Sequence, residues 1–299
     1  MDNPVVTFLL VCYNHQAYVA EAIRSVLLQT YPNIQLVVVD DHSTDNSHAI
    51  ITALQTENNF TYIRNEQNEG LNNSILIGLK ASIGEYISFL ASDDFVTSDK
   101  IAMQMDYLRS NGKKGVYSTG YTYEDGKAEI IKISDVFHYD DKQKILDYLY
   151  RFDWGVPLQQ SSLLHKDIML GLTDLRKEFK SDDWAFIIKV YEKYDVGYLD
   201  HPVFYYRLHG TNTHKKYWFT FPMRIDIASR LVPENYRMKT LSNIFYSHAQ
   251  YLLWDKKNAG IRFFICSMIL DFSFKNGLKM LRTFGALIKY SLFKRKHKG

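Results

Sequence analysis

Three apolar, β-branched runs in the first third of the chain each stop abruptly at a polar cluster, and this arrangement constrains the fold more than any other feature. Residues 5–12 (VVTFLLVC) run into Tyr13-Asn14-His15, residues 34–40 (IQLVVVD) into DHSTD, and residues 85–91 (EYISFLA) into SDD. Short runs that are apolar at successive positions fit strands buried on both faces. Between them the spacing turns helical. Residues 17–29 carry Val19, Ile23, Val26 and Leu27 on one stripe, and residues 72–82 form a second such segment. A turn with Ser43, Thr44 or Asp45 as an available N-cap feeds another helix, and FTYIRN (60–65) supplies a further strand. Strands alternating with helices over short links predict a parallel sheet with helices on both faces. Ligands of such sheets bind at the carboxyl ends of the strands, where the strand order reverses. Since YNH, DDHSTD and SDD all fall at those ends, they predict one shared site.

The middle of the chain is less periodic. YSTGYTYEDGKAEIIKI predicts a hairpin around Asp125-Gly126. KSDDWAFIIKVYEKY (180–194) predicts an amphipathic helix with Ser181 as cap, and residues 196–210 a strand region interrupted by Pro202. From about Met223 onward the pattern is helical. Net charge is +3, yet eight Lys and Arg and no acid lie after Asp271, so the body before them is acidic. An acidic body does not look like a nucleic-acid binder. Two distant cysteines, Cys12 and Cys266, without a basic, apolar leader predict reduced thiols in a cytoplasmic protein. No apolar run is long enough to span a membrane.

In order and spacing, the segment from VTFLLVCYNHQAYVAEAIRSVLLQTYPNIQLVVVDDHSTDNS through NEQNEGL, FLASDDF and SDDW to YRLHGTNTH resembles family 2 glycosyltransferases, notably bacterial enzymes of polysaccharide and oligosaccharide synthesis. The resemblance covers roughly residues 4–215. It implies an α/β, GT-A fold: a Rossmann-like, mostly parallel central sheet flanked by helices, here with a C-terminal helical appendage. The implied division is a GT-A domain over 1–222 and a helical extension over 223–299. Within the former, residues 1–115 form the nucleotide-sugar-binding half and 116–222 the acceptor and catalytic half.

The resemblance also implies roles. Tyr13 stacks on uracil, for which a ring at a strand end is a sound platform worth about 1–3 kcal/mol; the alternative is a rim Tyr packed on the next helix. Asn14 lies beside it. Asp41 accepts the uracil N3–H, while Asp40 braces the turn. The family often carries an Arg at the opening of the helix after Gly70, whereas this chain has NNSIL there. Arg64 is the substitute candidate, with Asn68 in the same loop.

The family's D-x-D motif reads Ala-Ser-Asp-Asp here, so Ala91 replaces the first acid. Asp93 falls on the metal-binding position. Ser92 is the stand-in candidate for the missing acid, and Asp94 is a helper or a turn residue. A hard divalent ion, Mn²⁺ or Mg²⁺, would neutralise the departing diphosphate. His209 sits where relatives place a third metal ligand or a diphosphate contact, with His214 a weaker candidate; a neutral imidazole suits Mn²⁺ better. Arg207 and Lys215 or Lys216 are candidates for phosphate oxygens. Asp182-Asp183-Trp184 matches the family's Glu-Asp-Trp, which makes Asp183 the catalytic base of an inverting transfer. Trp154 and GVPLQQSS (155–162) face the acceptor or pack in the core.

The expected enzyme takes a hexose or N-acetylhexosamine from a nucleotide sugar, with UDP favoured, to a saccharide acceptor in surface-polysaccharide or lipid-linked oligosaccharide synthesis. Residues 277–299 place Leu278, Leu281, Phe284, Ile288 and Leu292 on one stripe ahead of KRKHK. Such a helix lies on an anionic bilayer, here the inner face of the cell membrane, or docks on the body. Two alternatives stay open: a nucleotidyltransferase acting on a sugar phosphate, and a non-catalytic glycan-binding GT-A module.

Overall fold

The structure, a computed structural model, describes residues 3–153, 155–179, 183–210, 212, 217–255 and 257–271. The first elements alternate as the hydrophobic runs predict: β1 (Val6–Cys12), α1 (Val19–Leu27), β2 (Ile34–Asp40), α2 (Ser47–Glu57), β3 (Thr61–Arg64), α3 (Leu71–Ala81) and β4 (Tyr86–Ala91). Next come β5 (Phe95–Val96), α4 (Lys100–Asn111), β6 (Gly115–Glu124), β7 (Lys127–Ile130), α5 (Lys142–Tyr150), a 3₁₀ turn at Gln159–Ser161, β8 (Leu163–His165), α6 (Lys166–Gly171), α7 (Thr173–Glu178), α8 (Asp183–Lys193) and β9 (Val196–Arg207). Three helices follow: α9 (Tyr217–Leu231), α10 (Glu234–Asp255) and α11 (Lys257–Leu270). Among the described residues, no helix is long and apolar enough to cross a membrane.

The chain divides into two compact units, one of Met1–Leu149 with Trp154–Gly210, the other of Tyr150–Asp153 with the residues after Gly210. In the first unit the sheet runs β3-β2-β1-β4-β8-β6-β9-β5, with β7 paired to β6. Strands β3, β2, β1 and β4 are mutually parallel. All of β1 is buried, as are Leu36–Asp40 of β2, so the apolar runs are strands covered on both faces.

Beyond β4 the sheet is mixed. β8 is antiparallel to both β4 and β6, and β6 is parallel to β9. Two reversals return β6 and β9 to the direction of β4, so the carboxyl end of β9 lies on the same rim as those of β1, β2 and β4. The order reverses between β1 and β4, which opens the crevice where ligands of such sheets bind.

The hairpin around Asp125-Gly126 is present: both residues have positive φ (48° and 79°), as a tight two-residue hairpin turn demands. Two sequence expectations change. Pro202 does not interrupt its strand; β9 runs through it, and the register against β6 shifts around Thr119↔Pro202. A local irregularity accommodates a residue that cannot donate a ladder hydrogen bond. The very short β5, absent from the sequence reading, pairs antiparallel with β9 through Phe95↔Tyr205 and Val96↔Phe204.

In the second unit, Phe221, Phe245 and Phe263 from α9, α10 and α11 meet at centroid distances of 4.8–5.2 Å. His248 packs on Phe221, and burial lowers its pKa to about 4. Cys12 is a buried free thiol and Cys266 an exposed one.

Helix α4 opens on Lys100, whose side chain is fully buried. Its Nζ donates to the carbonyl oxygens of Gln160 (2.9 Å) and Ser162 (3.4 Å). One turn on, Gln104 Nε2 donates to the Ser161 carbonyl at 2.6 Å. Three consecutive carbonyls of the 159–162 turn are thus held from one helix. No carboxylate among the described residues pairs with Lys100, and burial pushes its pKa down to about 7. The unfolded chain therefore keeps a proton between about pH 7 and 10.5 that the folded chain sheds, so this group's contribution to stability rises with pH across that window and its full cost applies below it. The stability difference between wild type and Lys100→Met is expected to shift in favour of the wild type from pH 7 to pH 9, measured by urea unfolding. A difference that is flat with pH would mean that Lys100 stays charged when folded.

Candidate active site

The rim is built first from backbone. Asn14 follows β1 with φ 55° and His42 follows β2 with φ 62°, both left-handed conformations in non-glycine residues. Such conformations persist where surrounding contacts over-determine them. Here Asn14 N–H donates to Ser43 Oγ (2.9 Å), and Asn14 Oδ1 accepts from Thr44 N–H (2.8 Å). The two strand ends are therefore stitched together, with Tyr13 44% exposed beside them.

Asp40 and Asp41 are both buried and do different work. Asp40 accepts from Ser43 N–H (3.0 Å) and from the Tyr62 hydroxyl (3.2 Å), and Arg64 Nε lies 3.5 Å from it. Arg64 also donates to the Ser43 carbonyl at 3.2 Å, so it braces the turn after β2. Asp41 accepts from Asn65 Nδ2 (2.8 Å), Glu69 N–H (2.8 Å) and Gly70 N–H (2.9 Å). Its carboxylate thereby fixes the loop that opens α3. Gly70 has φ 82°, which a residue with a Cβ adopts only under strain. Asn68, in the same loop, is exposed.

The second cluster forms where β4 and β9 end. The β5–β9 ladder sets the Asp93-Asp94 turn against Arg207 and His209. Asp94 is 1% exposed and accepts from Arg207 N–H (2.9 Å) and Gln160 Nε2 (3.2 Å). Burial, and then the charge of Asp93, push its carboxyl well above the usual range. Asp93 is more open. Its Oδ2 lies 3.0 Å from His209 Nε2 and 3.9 Å from His15 Nε2. Burial pushes the His15 imidazole below its ordinary pKa, with Asp93 opposing the shift. Ser92 is fully buried, and its Oγ lies 2.8 Å from His15 Nδ1.

Arg207 ties this cluster together. Its Nε donates to the Asp93 carbonyl (3.0 Å), and Nη2 pairs with Glu21 at 2.5 Å. Its guanidinium sits 5.0–5.2 Å from the rings of Tyr18, Phe95 and Tyr123. Tyr18 in turn stacks on His209 with centroids 5.0 Å apart. One oxygen and one imidazole nitrogen meeting at Asp93 and His209, with a second imidazole near, make a donor set that fits a divalent ion, Mn²⁺ more readily than Mg²⁺. Among the described residues, no three His, Cys, Asp or Glu side chains are already spaced as one ligand set.

Asp183 is exposed and opens α8. Next to it, Trp184 is buried and its Nε1–H donates to the Leu149 carbonyl at 2.7 Å, which pins the start of the helix. Asp182, Ser181, Trp154, His214, Lys215, Lys216 and the tail 277–299 lie outside the described residues. The structure brings together Ser92, Asp93, Asp94, Arg207 and His209, and separately Tyr13 and Asn14 with the turn after β2. His15, Tyr18, Glu21 and Gln160 are contacts that the sequence reading did not assign. The YNH cluster contained the signal for His15 and the GVPLQQSS segment that for Gln160; nothing local marked Tyr18 and Glu21.

An orphaned buried donor costs about 1–3 kcal/mol. Asp41→Ala is therefore expected to lower the urea midpoint clearly. Asp41→Asn, which keeps one acceptor oxygen, should lower it less; equal effects would assign the stability to charge alone.

Residues 7–169 match the family described as glycosyl transferase family 2. An uncharacterized glycosyltransferase of Rickettsia typhi is 31% identical over 206 residues, which cover 67% of this chain and 63% of that protein. The chain spans less than two thirds of the length of the curated relatives it matches first. Among solved structures, Staphylococcus aureus TarS 1–349 in complex with UDP-GlcNAc superposes with a TM-score of 0.61 at 17% identity, covering 88% of this chain and 79% of that one. The mannosyltransferase PcManGT of Pyrobaculum calidifontis, in complex with GDP-Man and Mn²⁺, gives 0.59 at 16% identity, covering 99% and 83%. These structures share the GT-A fold, with a mixed sheet flanked by helices and a helical C-terminal region. With more than half of its length matched, the chain belongs to glycosyl transferase family 2.

Proposed function

We propose that this chain is an inverting glycosyltransferase that moves a hexose or N-acetylhexosamine from a UDP-sugar to a saccharide acceptor. The observation that carries this reading is the meeting of Asp93 and His209, 3.0 Å apart, on the rim where Tyr13, Asn14 and Asp41 end the neighbouring strands. The nucleotide sugars bound to TarS and PcManGT, and the Mn²⁺ of the latter, support a nucleotide-sugar donor and a divalent ion here.

Tyr13, exposed beside the stitched ends of β1 and β2, offers its ring to the base. Asp41, held by three donors, keeps about one of its four lone-pair sites, on Oδ2, for an N–H of that base. Asn68 and Arg64 flank the same end. Asp93 and His209 would hold Mn²⁺ or Mg²⁺, which when bound supplies positive charge to the diphosphate. Arg207 holds the Asp93-Asp94 turn through the peptide, and its cationic head adds to the positive field there. Ser92 and Asp94 support that turn from the buried side. Asp183, at the positive end of the α8 dipole, accepts the proton of the attacking acceptor hydroxyl.

A lipid-linked acceptor would suit the basic, amphipathic stretch 277–299, which would lie on an anionic membrane face. Deletion of 277–299 should reduce sedimentation with phosphatidylglycerol vesicles; unchanged sedimentation removes the support for a lipid-linked acceptor.

Asp183→Asn should reduce transfer by about 100-fold or more while UDP affinity, measured by calorimetry, stays within about twofold. Near-normal turnover would sink the base assignment. Thermal-shift screening of nucleotide sugars with and without Mn²⁺ tests the donor. Release of pyrophosphate instead of UDP would favour a nucleotidyltransferase.

A further inference from the structure

We infer that His15, supplied from just past the end of β1, is a third protein ligand of the divalent ion. This rests on the metal-dependent reading above and goes beyond it, since that reading assigns the ion only to Asp93 and His209.

The argument begins with strand pairing. β1 and β4 are parallel neighbours with Val11 opposite Ala91, so the residues just past each strand end share one corner of the rim. His15 comes from the first strand and Asp93 from the second. Two ligand atoms at about 2.1 Å from one ion and about 90° apart lie about 3.0 Å from each other. His209 Nε2 and Asp93 Oδ2 already stand at 3.0 Å. His15 Nε2 stands 3.9 Å from the same oxygen, about 0.9 Å beyond such an edge. Ion binding therefore requires His15 Nε2 to move toward Asp93 by about that distance while Nδ1 stays on Ser92. The two imidazoles lie with centroids 6.2 Å apart and planes at 79°, close to the same corner but not in van der Waals conflict.

The orientation of His15 is the second observation. Metal-bound imidazoles usually have their other ring nitrogen held by a hydrogen-bond acceptor, which fixes the tautomer. His15 Nδ1 lies 2.8 Å from Ser92 Oγ, a hydroxyl fully buried behind it. With Nδ1–H donated to Ser92, Nε2 carries a lone pair and faces Asp93. The backbone is held as well: His15 N–H donates to Ser47 Oγ at 3.1 Å, and the His15 carbonyl accepts from Tyr18 N–H and Val19 N–H at 2.9 Å each. Ser92 thereby acts on the ion through His15 and not as a ligand itself. A site of two imidazoles and one carboxylate prefers Mn²⁺ to Mg²⁺ more strongly than one with a single imidazole.

The test is Mn²⁺ binding to the full chain with UDP present, read by calorimetry and by pulsed EPR. Wild type should show nitrogen couplings from two imidazoles. His15→Ala should lose one of them and bind Mn²⁺ about 10-fold or more weakly, with a smaller change for Mg²⁺. Ser92→Ala should keep both couplings and lose affinity severalfold. Two couplings and unchanged Mn²⁺ affinity in His15→Ala would overturn the assignment of His15. Absence of Mn²⁺ binding in wild type would instead sink the parent metal reading. Where His15→Ala melts early, His15→Gln gives the same readout with the side-chain volume largely kept.

Discussion

Four ladder residues hold the rim together. Phe95↔Tyr205 and Val96↔Phe204 pair a two-residue strand with the end of β9, and through them the turn after β4 meets a segment more than 100 residues away. Without that ladder, Asp94 would have no reason to lie under Arg207 N–H, and Asp93 none to lie against His209. The aromatic stack reinforces it, with Phe95 and Tyr205 rings parallel at 4.4 Å and the Arg207 guanidinium above Phe95. Aromatic pairs of this geometry add about 0.5–1.5 kcal/mol beyond their burial, so the contact is strong for its length.

A buried polar layer supports the same corner from behind. Lys100 and Gln104 hold the carbonyls of the 159–162 turn, and that turn presents Gln160 to Asp94. The two adjacent carboxyls are consequently divided in environment. Asp94 is turned inward, satisfied by two donors and driven toward its neutral form, while Asp93 faces the open rim. Two full charges on neighbouring residues would repel; placing one of them in a low-dielectric pocket with neutral donors relieves that conflict without removing either side chain.

Much of this was legible in residues. The runs VVTFLLVC, IQLVVVD and EYISFLA became β1, β2 and β4 because an uninterrupted apolar, β-branched run has few alternatives in a chain of this length. Asp125-Gly126 predicted its hairpin because few dipeptides accept positive φ twice. What was not legible depended on long-range pairing. Phe95-Val96 is too short to carry a periodic signal, and Pro202 argued against a strand that a shift of register accommodates. Lys100 read as an ordinary polar residue, since nothing local says that a lysine will be fully enclosed and bonded to the Gln160 and Ser162 carbonyls. His15 was visible in the YNH cluster, but its value lay in Ser92 and Asp93, residues of another strand.

Local sequence thus determined the alternation of strands and helices, the polar clusters at strand ends, and the membership of the rim, because hydrophobic periodicity and turn chemistry act over a few residues. Only the tertiary structure decided which clusters touch. It put Asp41 on the α3 loop, Arg64 on Asp40, Arg207 across the Asp93-Asp94 turn, and His15 and His209 on either side of one carboxylate. Those choices belong to strand order and register, which are set by the summed packing of the sheet and not by any segment read alone.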